Sequence, residues 1–218
     1  MSDPRQHPDD TIGAMTGGDQ ERYDLAVVGA GVVGLGHALA AAERGLRVVV
    51  VERSDAVTGA SVRNFGHIGV SVHTGVAREY AEIARERWLA LAERAGFWMR
   101  RRGSLVVARA EDEFAVLEEA AAADPGLGEL VDPARVAELA PVVGVVGGML
   151  RTRDLQVDPR EAAPAIARHL AEAGVAFRWR TSALGTEPGL LHTSRGVIRA
   201  EAVVVATGAD VDQLHPEL

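Results

Sequence analysis

The sequence predicts an α/β fold built around a parallel β-sheet, and three observations lead to this prediction. Short apolar runs at 23–28, 47–51 and 202–206 are typical of buried parallel strands. An alanine-rich segment follows the first run and has the character of a helix closed by Gly45. A glycine-rich turn at 29–34 joins the first run to that segment. Strand, turn, helix and strand in this order are typical of a βαβ unit.

The turn contains Gly29, Gly31 and Gly34, which have the spacing GxGxxG. In such a turn the first glycine allows a tight bend, the second lets the backbone approach a pyrophosphate, and the third lets helix and strand pack closely. The helix N-terminus then faces the negative charge. Glu52 ends the next strand, where its carboxylate can accept hydrogen bonds from a ribose diol. We therefore expect a Rossmann-like dinucleotide site.

Two further segments favour FAD over NAD. The loop at 58–67 offers hydroxyls, backbone amides and the Asn64 amide, which could reach a second phosphate and the edge of a flavin ring. The sequence Ala206-Thr207-Gly208 follows a buried strand, and its small residues let the backbone lie against a dinucleotide. Glu52 argues against NADP, because its charge would repel a 2′-phosphate.

The segment at 56–74 has no strong period, and a loop of that length is usually functional. After it, a stripe of apolar residues at helical spacing predicts a buried helix face that ends at Gly96, and the stripe comprises Val76, Tyr80, Ile83, Trp88, Leu91 and Ala95. Arg78 and Glu82 are placed to pair on the exposed face of this helix.

The pattern changes from Gly103 onwards. We expect a strand at 104–108, helices at 111–122 and 133–139, and a glycine-interrupted apolar segment at 144–150. These elements do not continue a parallel sheet, and they are interpreted as an inserted piece.

A further helix begins with Asp158 as N-cap, Pro159 at the first position and Glu161 at the capping-box position. Its predicted buried stripe comprises Ala163, Ile166, Ala167 and Leu170. Strands are expected at 175–179 and 202–206, with a hairpin formed by 190–193 and 197–199.

Composition narrows the function further. The chain has no cysteine and no lysine, which excludes disulfides, iron–sulfur clusters, a lysine Schiff base and a Walker A lysine. Its net charge of −8 comes from interspersed acids and arginines, and this does not fit a nucleic-acid binder. We find no metal-binding motif, no transmembrane run and no secretory signal, so a cytoplasmic protein is expected.

Four segments occur in the same order as in one known superfamily. They are DLAVVGAGVVGLGHALAAAERGLRVVVVER, TGASVRNFGHIG, DLQVDPREAAPAIARHLAEAGVAF and VVVATGA. In them the chain resembles the FAD-dependent oxidoreductases that include D-amino-acid oxidase, glycine oxidase and sarcosine oxidase. The resemblance runs from Tyr23 to Leu218. It implies a Rossmann-like FAD domain of the glutathione-reductase type with an interleaved, incomplete α+β substrate domain.

The first 21 residues are rich in Asp, Gly and Pro and have no apolar periodicity, so a disordered leader is expected at 1–21. For the rest of the chain the resemblance implies an FAD domain at 22–96 and 155–218 and a partial substrate domain at 97–154. It also assigns cofactor contacts. Pyrophosphate would lie at Gly29, Gly31 and Gly34, the adenosine ribose at Glu52, adenine at Ala183, phosphate at Ser61 and the flavin at Asn64 and Gly66. Gly208 would close over the dinucleotide, and Arg53 is a further expected cofactor contact.

The chemistry implied by the resemblance is oxidation of a small amine or amino acid by hydride transfer to flavin. The RNFG sequence of the loop is similar to that of a subgroup of this superfamily that is associated with aminophosphonate metabolism. No catalytic residue follows firmly. Arg63 could bind an anionic substrate group and His67 could favour the deprotonated amine. The alternative for both is a loop residue that hydrogen-bonds to backbone.

Members of the superfamily continue well past the ATG motif, whereas this chain stops ten residues after Gly208. We therefore expect the N-terminal portion of an enzyme. Alternatives are a non-catalytic FAD-binding subunit completed by a partner chain, a flavoenzyme similar to glycerol-3-phosphate dehydrogenase, and a plain NAD-dependent dehydrogenase. The sequence leaves open whether the protein forms a homo-oligomer or is completed by a second chain.

Overall fold

The computed structural model describes residues 22–214, so the predicted leader and the last four residues lie outside it. In that range the α-helices are α1 (Val32–Ala42), α2 (Gly75–Ala95), α3 (Glu111–Ala123), α4 (Pro133–Leu139) and α5 (Pro159–Glu172). The strands are β1 (Arg22–Val28), β2 (Val48–Val51), β3 (His67–Ile68), β4 (Met99–Arg100), β5 (Ser104–Ala108), β6 (Glu129–Val131), β7 (Gly147–Arg151), β8 (Leu155–Val157), β9 (Ala176–Arg178), β10 (Ala183–Glu187), β11 (Leu190–Thr193) and β12 (Gly196–Val205).

The main sheet has six strands in the order β10-β11-β12-β1-β2-β9. Strands β12, β1, β2 and β9 run parallel, and β10 and β11 extend the sheet as an antiparallel hairpin. All four residues of β2 are buried, as expected for a strand covered on both faces. The predicted α/β fold is confirmed. The sheet combines strands from before residue 52 with strands from after residue 175, and the division of the chain into domains stays a prediction.

The last strand differs from the prediction. Two separate strands at 197–199 and 202–206 were expected, but β12 is one strand of ten residues. Ala200 is buried and lies opposite Tyr23 in the pairing of β12 with β1. Glu201 is exposed and forms an ion pair with Arg22. Residues 200 and 201, which lie between the two expected segments, therefore continue the same strand.

The region after α2 forms small antiparallel sheets, which confirms that it does not continue the parallel sheet. One sheet has the order β5-β7-β6, and the other, β3-β8-β4, joins three distant segments. The glycines of β7 are required by packing, because a Cβ on Gly147 would lie 2.5 Å from the Phe114 ring and one on Gly148 would lie 2.5 Å from the Val106 carbonyl oxygen. Strands β3, β4, β6 and β8 were not predicted, and neither was β10 of the main sheet.

Helix α2 is buried along only part of the predicted stripe. Leu91 is buried near the C-terminus, whereas Val76, Tyr80 and Ile83 are 61%, 68% and 57% exposed. The prediction is therefore wrong for the first half of the helix. That half extends away from the core formed by the main sheet, α1 and α5. The predicted pair of Arg78 and Glu82 is confirmed, with 3.6 Å between Nε and Oε1.

Helix α5 begins as predicted, and its apolar stripe is buried. Asp158 is the N-cap, and its Oδ1 accepts a hydrogen bond from the Arg160 N–H at 2.9 Å. The capping box is not formed by Glu161, whose carboxylate accepts from the Trp98 N–H at 3.0 Å instead. This bond ties the helix start to the segment before β4. Within residues 22–214, no helix is long and apolar enough to cross a membrane.

Candidate cofactor site

The glycine turn between β1 and α1 is tightly packed on two sides. Gly29 has a φ of +103°, and its N–H donates to the Val51 carbonyl oxygen at 2.8 Å. A Cβ at Gly29 would lie 2.5 Å from the carbonyl oxygen of Ala206, and one at Gly34 would lie 1.9 Å from that of Gly29. These distances confirm that the first glycine permits the turn and the third permits close packing of helix and strand.

Gly31 leaves the N-terminus of α1 open. It is the N-cap residue and supplies no capping side chain. Ser61 takes that place, because its Oγ accepts a hydrogen bond from the Val32 N–H at 2.9 Å. A Cβ on Gly31 would lie 3.0 Å from the same Oγ atom. Gly31 and Ser61 therefore share the position at the helix N-terminus where an anion is favoured.

Glu52 is fixed by its surroundings. Its Oε2 accepts from the Ala30 N–H and its Oε1 from the Ser54 N–H, both at 2.9 Å. Its backbone N–H donates to Arg178, and its carbonyl oxygen accepts from Thr181. Each carboxylate oxygen has a further lone pair. The carboxylate is therefore held in one orientation and can still accept bonds from ribose hydroxyls.

These features surround a cavity of about 640 Å³ at the carboxyl ends of β1, β2 and β12. In open α/β sheets, ligands bind at this end of the strands. Most of the predicted cofactor residues line this cavity, namely Gly29, Gly31, Glu52, Arg53, Ser61, Asn64, Ala183 and Gly208. Gly34 lies behind the turn, while Gly66, Arg63 and His67 are not in the lining. Their contacts with a cofactor or substrate, like those of the lining residues, stay predictions.

Several lining residues were not singled out from the sequence, among them Thr58, Thr181 and Asp210. Asp210 Oδ2 forms an ion pair with Arg53 at 2.6 Å across the edge of the cavity. No sequence pattern connects these two residues, since they are 157 positions apart. Ala183 is the first residue of β10, a strand that was not predicted from the sequence.

Asn64 folds the loop that follows the short 3₁₀ turn Gly59–Val62. Its Nδ2 donates to the Ala60 and Ser61 carbonyl oxygens at 2.9 and 3.2 Å, and its Oδ1 accepts from the Gly66 N–H at 2.8 Å. Gly66 has a φ of +72°, and a Cβ there would lie 1.9 Å from the carbonyl oxygen of Val157. The packing against β8 therefore already requires glycine at this position.

His67 lies beyond that loop, next to a carboxylate that the sequence did not reveal. Asp154 is fully buried, and its Oδ2 lies 3.3 Å from His67 Nε2 and accepts from the Ser104 hydroxyl at 2.5 Å. Its Oδ1 accepts from the N–H groups of Val70 and Ser71 at 2.8 and 2.9 Å.

Burial alone would raise the pKa of Asp154. The hydrogen bonds from Ser104, Ser71, Val70 and His67 outweigh burial and lower the pKa to about 2. Asp154 is therefore a buried anion at neutral pH. Among the residues that the structure describes, no cluster of carboxylates and histidines could hold a metal ion.

Two observations indicate that the residues around the cavity fit a dinucleotide. The Thr207 hydroxyl at its wall is buried and has no hydrogen-bond partner within residues 22–214, and a bound polar group would supply one. The helix N-terminus at Gly31 lacks a charged cap and faces the same space. Both features suit a ligand with phosphates and hydroxyls along its length.

A family model described as FAD dependent oxidoreductase (DAO) matches residues 24–218. The chain belongs to this family. FAD is therefore its cofactor, and the resemblance found in the sequence is confirmed. The DAO family also accounts for the mixed six-stranded sheet with small antiparallel sheets beside it.

Individual relatives agree with this family. The chain is 25% identical to a D-amino acid dehydrogenase of Helicobacter pylori, over 87% of this chain and 60% of that protein. It is 30% identical to a glycine oxidase of Geobacillus kaustophilus, over 86% and 55% of the respective chains. The crystal structure of glycine oxidase from Geobacillus kaustophilus gives a TM-score of 0.80 at 28% identity, over 89% and 58%. An L-proline dehydrogenase from P. horikoshii shares the fold, with a TM-score of 0.81 at 24% identity, over 90% and 56%.

A relative of another kind also matches. The chain is 31% identical to one component of the anaerobic glycerol-3-phosphate dehydrogenase of Escherichia coli, over 65% of this chain and 27% of that protein. The chain thus spans 60% and 55% of the length of the two amino-acid oxidoreductases. It spans 27% of the length of the glycerol-3-phosphate dehydrogenase component.

Proposed function

We propose that the protein oxidises the C–N bond of a small amine or amino acid. The observation that carries the proposal is the pre-formed cavity at Gly31, Glu52 and Ser61 in a member of the DAO family. Relatives named as D-amino acid dehydrogenase and glycine oxidase match 86–87% of the chain, and this supports an amino-acid substrate. Bound FAD would supply the acceptor for a hydride from the carbon next to nitrogen.

The residues of the chain hold and orient the reactants. Glu52 and Ala183 would bind the adenosine end of the cofactor, and Gly31 and Ser61 its phosphates. The loop folded by Asn64 would bring the flavin end near Arg63 and His67. Arg63 would then attract an anionic group of the substrate, such as a carboxylate or a phosphonate.

Anaerobic reduction of the bound flavin tests this proposal. The FAD-loaded protein is mixed with glycine, D-alanine, 2-aminoethylphosphonate or glycerol 3-phosphate, and the loss of visible flavin absorption is followed. Bleaching by an amine supports the proposal, and the amine that bleaches fastest defines the substrate class. An Arg63→Gln variant should raise the concentration of an anionic amine needed for half-maximal bleaching. Arg109→Gln, on the exposed surface, is the matched control.

A flavoenzyme acting on glycerol 3-phosphate is the second candidate, favoured by the 31% identity to the Escherichia coli protein. Bleaching by glycerol 3-phosphate and by none of the amines would establish it. A protein that binds FAD and is bleached by none of these compounds would support the alternative of a non-catalytic subunit that needs a partner chain for completion.

A further inference from the structure

The contact between His67 and Asp154 fixes which nitrogen of the imidazole carries a proton. An ionised carboxylate can only accept hydrogen bonds. The pKa of Asp154 near 2 keeps it ionised at neutral pH. Because His67 Nε2 is the ring atom facing Oδ2, at 3.3 Å, that nitrogen must donate. In the neutral ring, Nδ1 is then the nitrogen without a proton.

Nδ1 is available for chemistry. Within residues 22–214 it has no hydrogen-bond partner, and the His67 side chain is 31% exposed while Asp154 is completely buried. The ring of Phe65, itself 79% exposed, stacks on the His67 ring with centroids 6.2 Å apart. One edge of the imidazole is thus held by a buried anion, and the other edge is turned away from that anion.

Asp154 is held firmly enough to orient the ring. It precedes β8, whose Leu155 is buried and pairs with Ile68 of β3. On the other side, the carbonyl oxygen of the neighbouring Arg153 accepts from Arg85 Nε at 2.9 Å, and the Arg153 guanidinium pairs with Glu82 of α2. The backbone on both sides of Asp154 is therefore anchored, and the N–H groups of Val70 and Ser71 hold the carboxylate itself.

We propose that Asp154 is a positioning residue that holds His67 as the Nε2–H tautomer, so that Nδ1 accepts a proton from the ammonium group of the substrate. This inference rests on the proposed amine oxidation. In the step, an N–H bond of the substrate breaks, its proton binds to Nδ1, and the electron pair stays on the amine nitrogen. The imidazolium that forms is balanced by the Asp154 carboxylate. The neutral amine is the form that can release a hydride from its α-carbon.

Asparagine at position 154 gives a sharp test. The N–H groups of Val70 and Ser71 require an acceptor, so the amide oxygen of Asp154→Asn should face them. Its amide NH₂ then faces His67 Nε2 and makes that nitrogen an acceptor. The substitution should therefore move the ring proton to Nδ1 without changing the shape of the side chain. Asp112→Asn, on the exposed start of α3, is the matched control.

The tautomer can be measured by long-range proton–nitrogen NMR on the nitrogen-15-labelled chain at about pH 9. Loss of one ring signal in His67→Gln assigns the residue. The expected result is a protonated Nε2 in the wild type and in Asp112→Asn, and a protonated Nδ1 in Asp154→Asn. A wild-type ring protonated on Nδ1 overturns the inference, even if the Asp154→Asn variant does not fold.

A second measurement links the tautomer to the reaction. With an amine that bleaches the flavin, Asp154→Asn should slow bleaching by about 100-fold while FAD affinity stays within about threefold of wild type. An inverted tautomer with an undiminished rate of bleaching overturns the inference. If the tautomers are as expected and no amine bleaches the flavin, the proposed amine oxidation fails, and with it the role of Nδ1, while the orientation of His67 stands.

Discussion

The carboxylate of Glu52 joins the end of β2 to the glycine turn, because its Oε2 accepts a hydrogen bond from the Ala30 N–H at 2.9 Å. The residue that would bind ribose and the turn that would bind pyrophosphate are therefore one hydrogen-bonded unit. The second oxygen, bonded to the Ser54 N–H, fixes the carboxylate from the other side. Such a unit is in place before the cofactor arrives, which lowers the ordering cost of binding.

Glu52→Gln should weaken both the fold and cofactor binding. The amide offers one acceptor where two part-buried backbone N–H groups need one each, so one of these donors loses its partner at a cost of about 1–3 kcal/mol. We expect urea denaturation of the apoprotein to show this loss and FAD affinity to fall at least about tenfold. Glu118→Gln on the exposed surface of α3 is the control. Equal affinity for FAD in both variants would contradict the role of Glu52.

Gly34→Ala should be strongly destabilising, since its Cβ would lie 1.9 Å from the carbonyl oxygen of Gly29. We expect a loss of about 3 kcal/mol or failure to fold. Gly36 in the same helix has open space around a Cβ among the described residues. Gly36→Ala should therefore stabilise the helix by about 0.5–1 kcal/mol. Urea denaturation of both variants measures the difference. Similar stabilities would contradict the close packing of α1 against the turn.

Gly31→Ala should separate binding from stability. Its Cβ would meet Ser61 Oγ at 3.0 Å, a contact that a small movement of one side chain relieves. The added methyl would, however, occupy the space through which a pyrophosphate approaches the backbone. We expect the free energy of unfolding to change by less than about 1 kcal/mol and FAD affinity to fall at least about tenfold. Calorimetric titration with FAD measures the affinity of the variant. An unchanged affinity would show that the pyrophosphate does not bind at Gly31.

The buried Asp154 should make stability depend on acid. Its pKa is lowered from 3.8 to about 2 in the folded protein, so its contribution is present above the unfolded value and is lost as the pH falls through the folded value. That contribution is on the order of 2 kcal/mol and should disappear between about pH 4 and pH 2.

Comparison with Asp154→Asn isolates the contribution from that of other carboxylates. The difference in unfolding free energy between wild type and variant should shrink over that pH window. A difference that stays constant from neutral pH to about pH 2 would show that the carboxylate is not held as described.

The sequence predicted the features that arise from neighbouring residues. Few residues separate the turn at Gly29, the helix after it and Glu52. The glycine spacing is typical of a turn that lets the backbone approach a pyrophosphate. The start of α5 was predicted for the same reason, because Asp158 and Pro159 act on the first turn of that helix.

Features that depend on distant partners were missed. Asp154 receives bonds from residues up to 87 positions away, and a single Asp in a turn gives no signal of this. The exposure of Tyr80 on α2 was also missed, because periodicity shows which residues share a face but not what covers that face. The partner of Glu161 was missed as well, because its carboxylate accepts from the distant Trp98 N–H and not from the N–H of the N-cap residue Asp158.

A titration of the chain with FAD tests whether the cavity at Gly31 and Glu52 binds this cofactor. The chain is stripped of any bound cofactor, titrated with FAD, and followed by quenching of flavin fluorescence, with NAD as the competing ligand. We predict binding of one FAD per chain that excess NAD does not displace and that Gly31→Ala weakens. A folded chain that binds no FAD and binds NAD in this cavity would contradict the assignment of FAD as the cofactor.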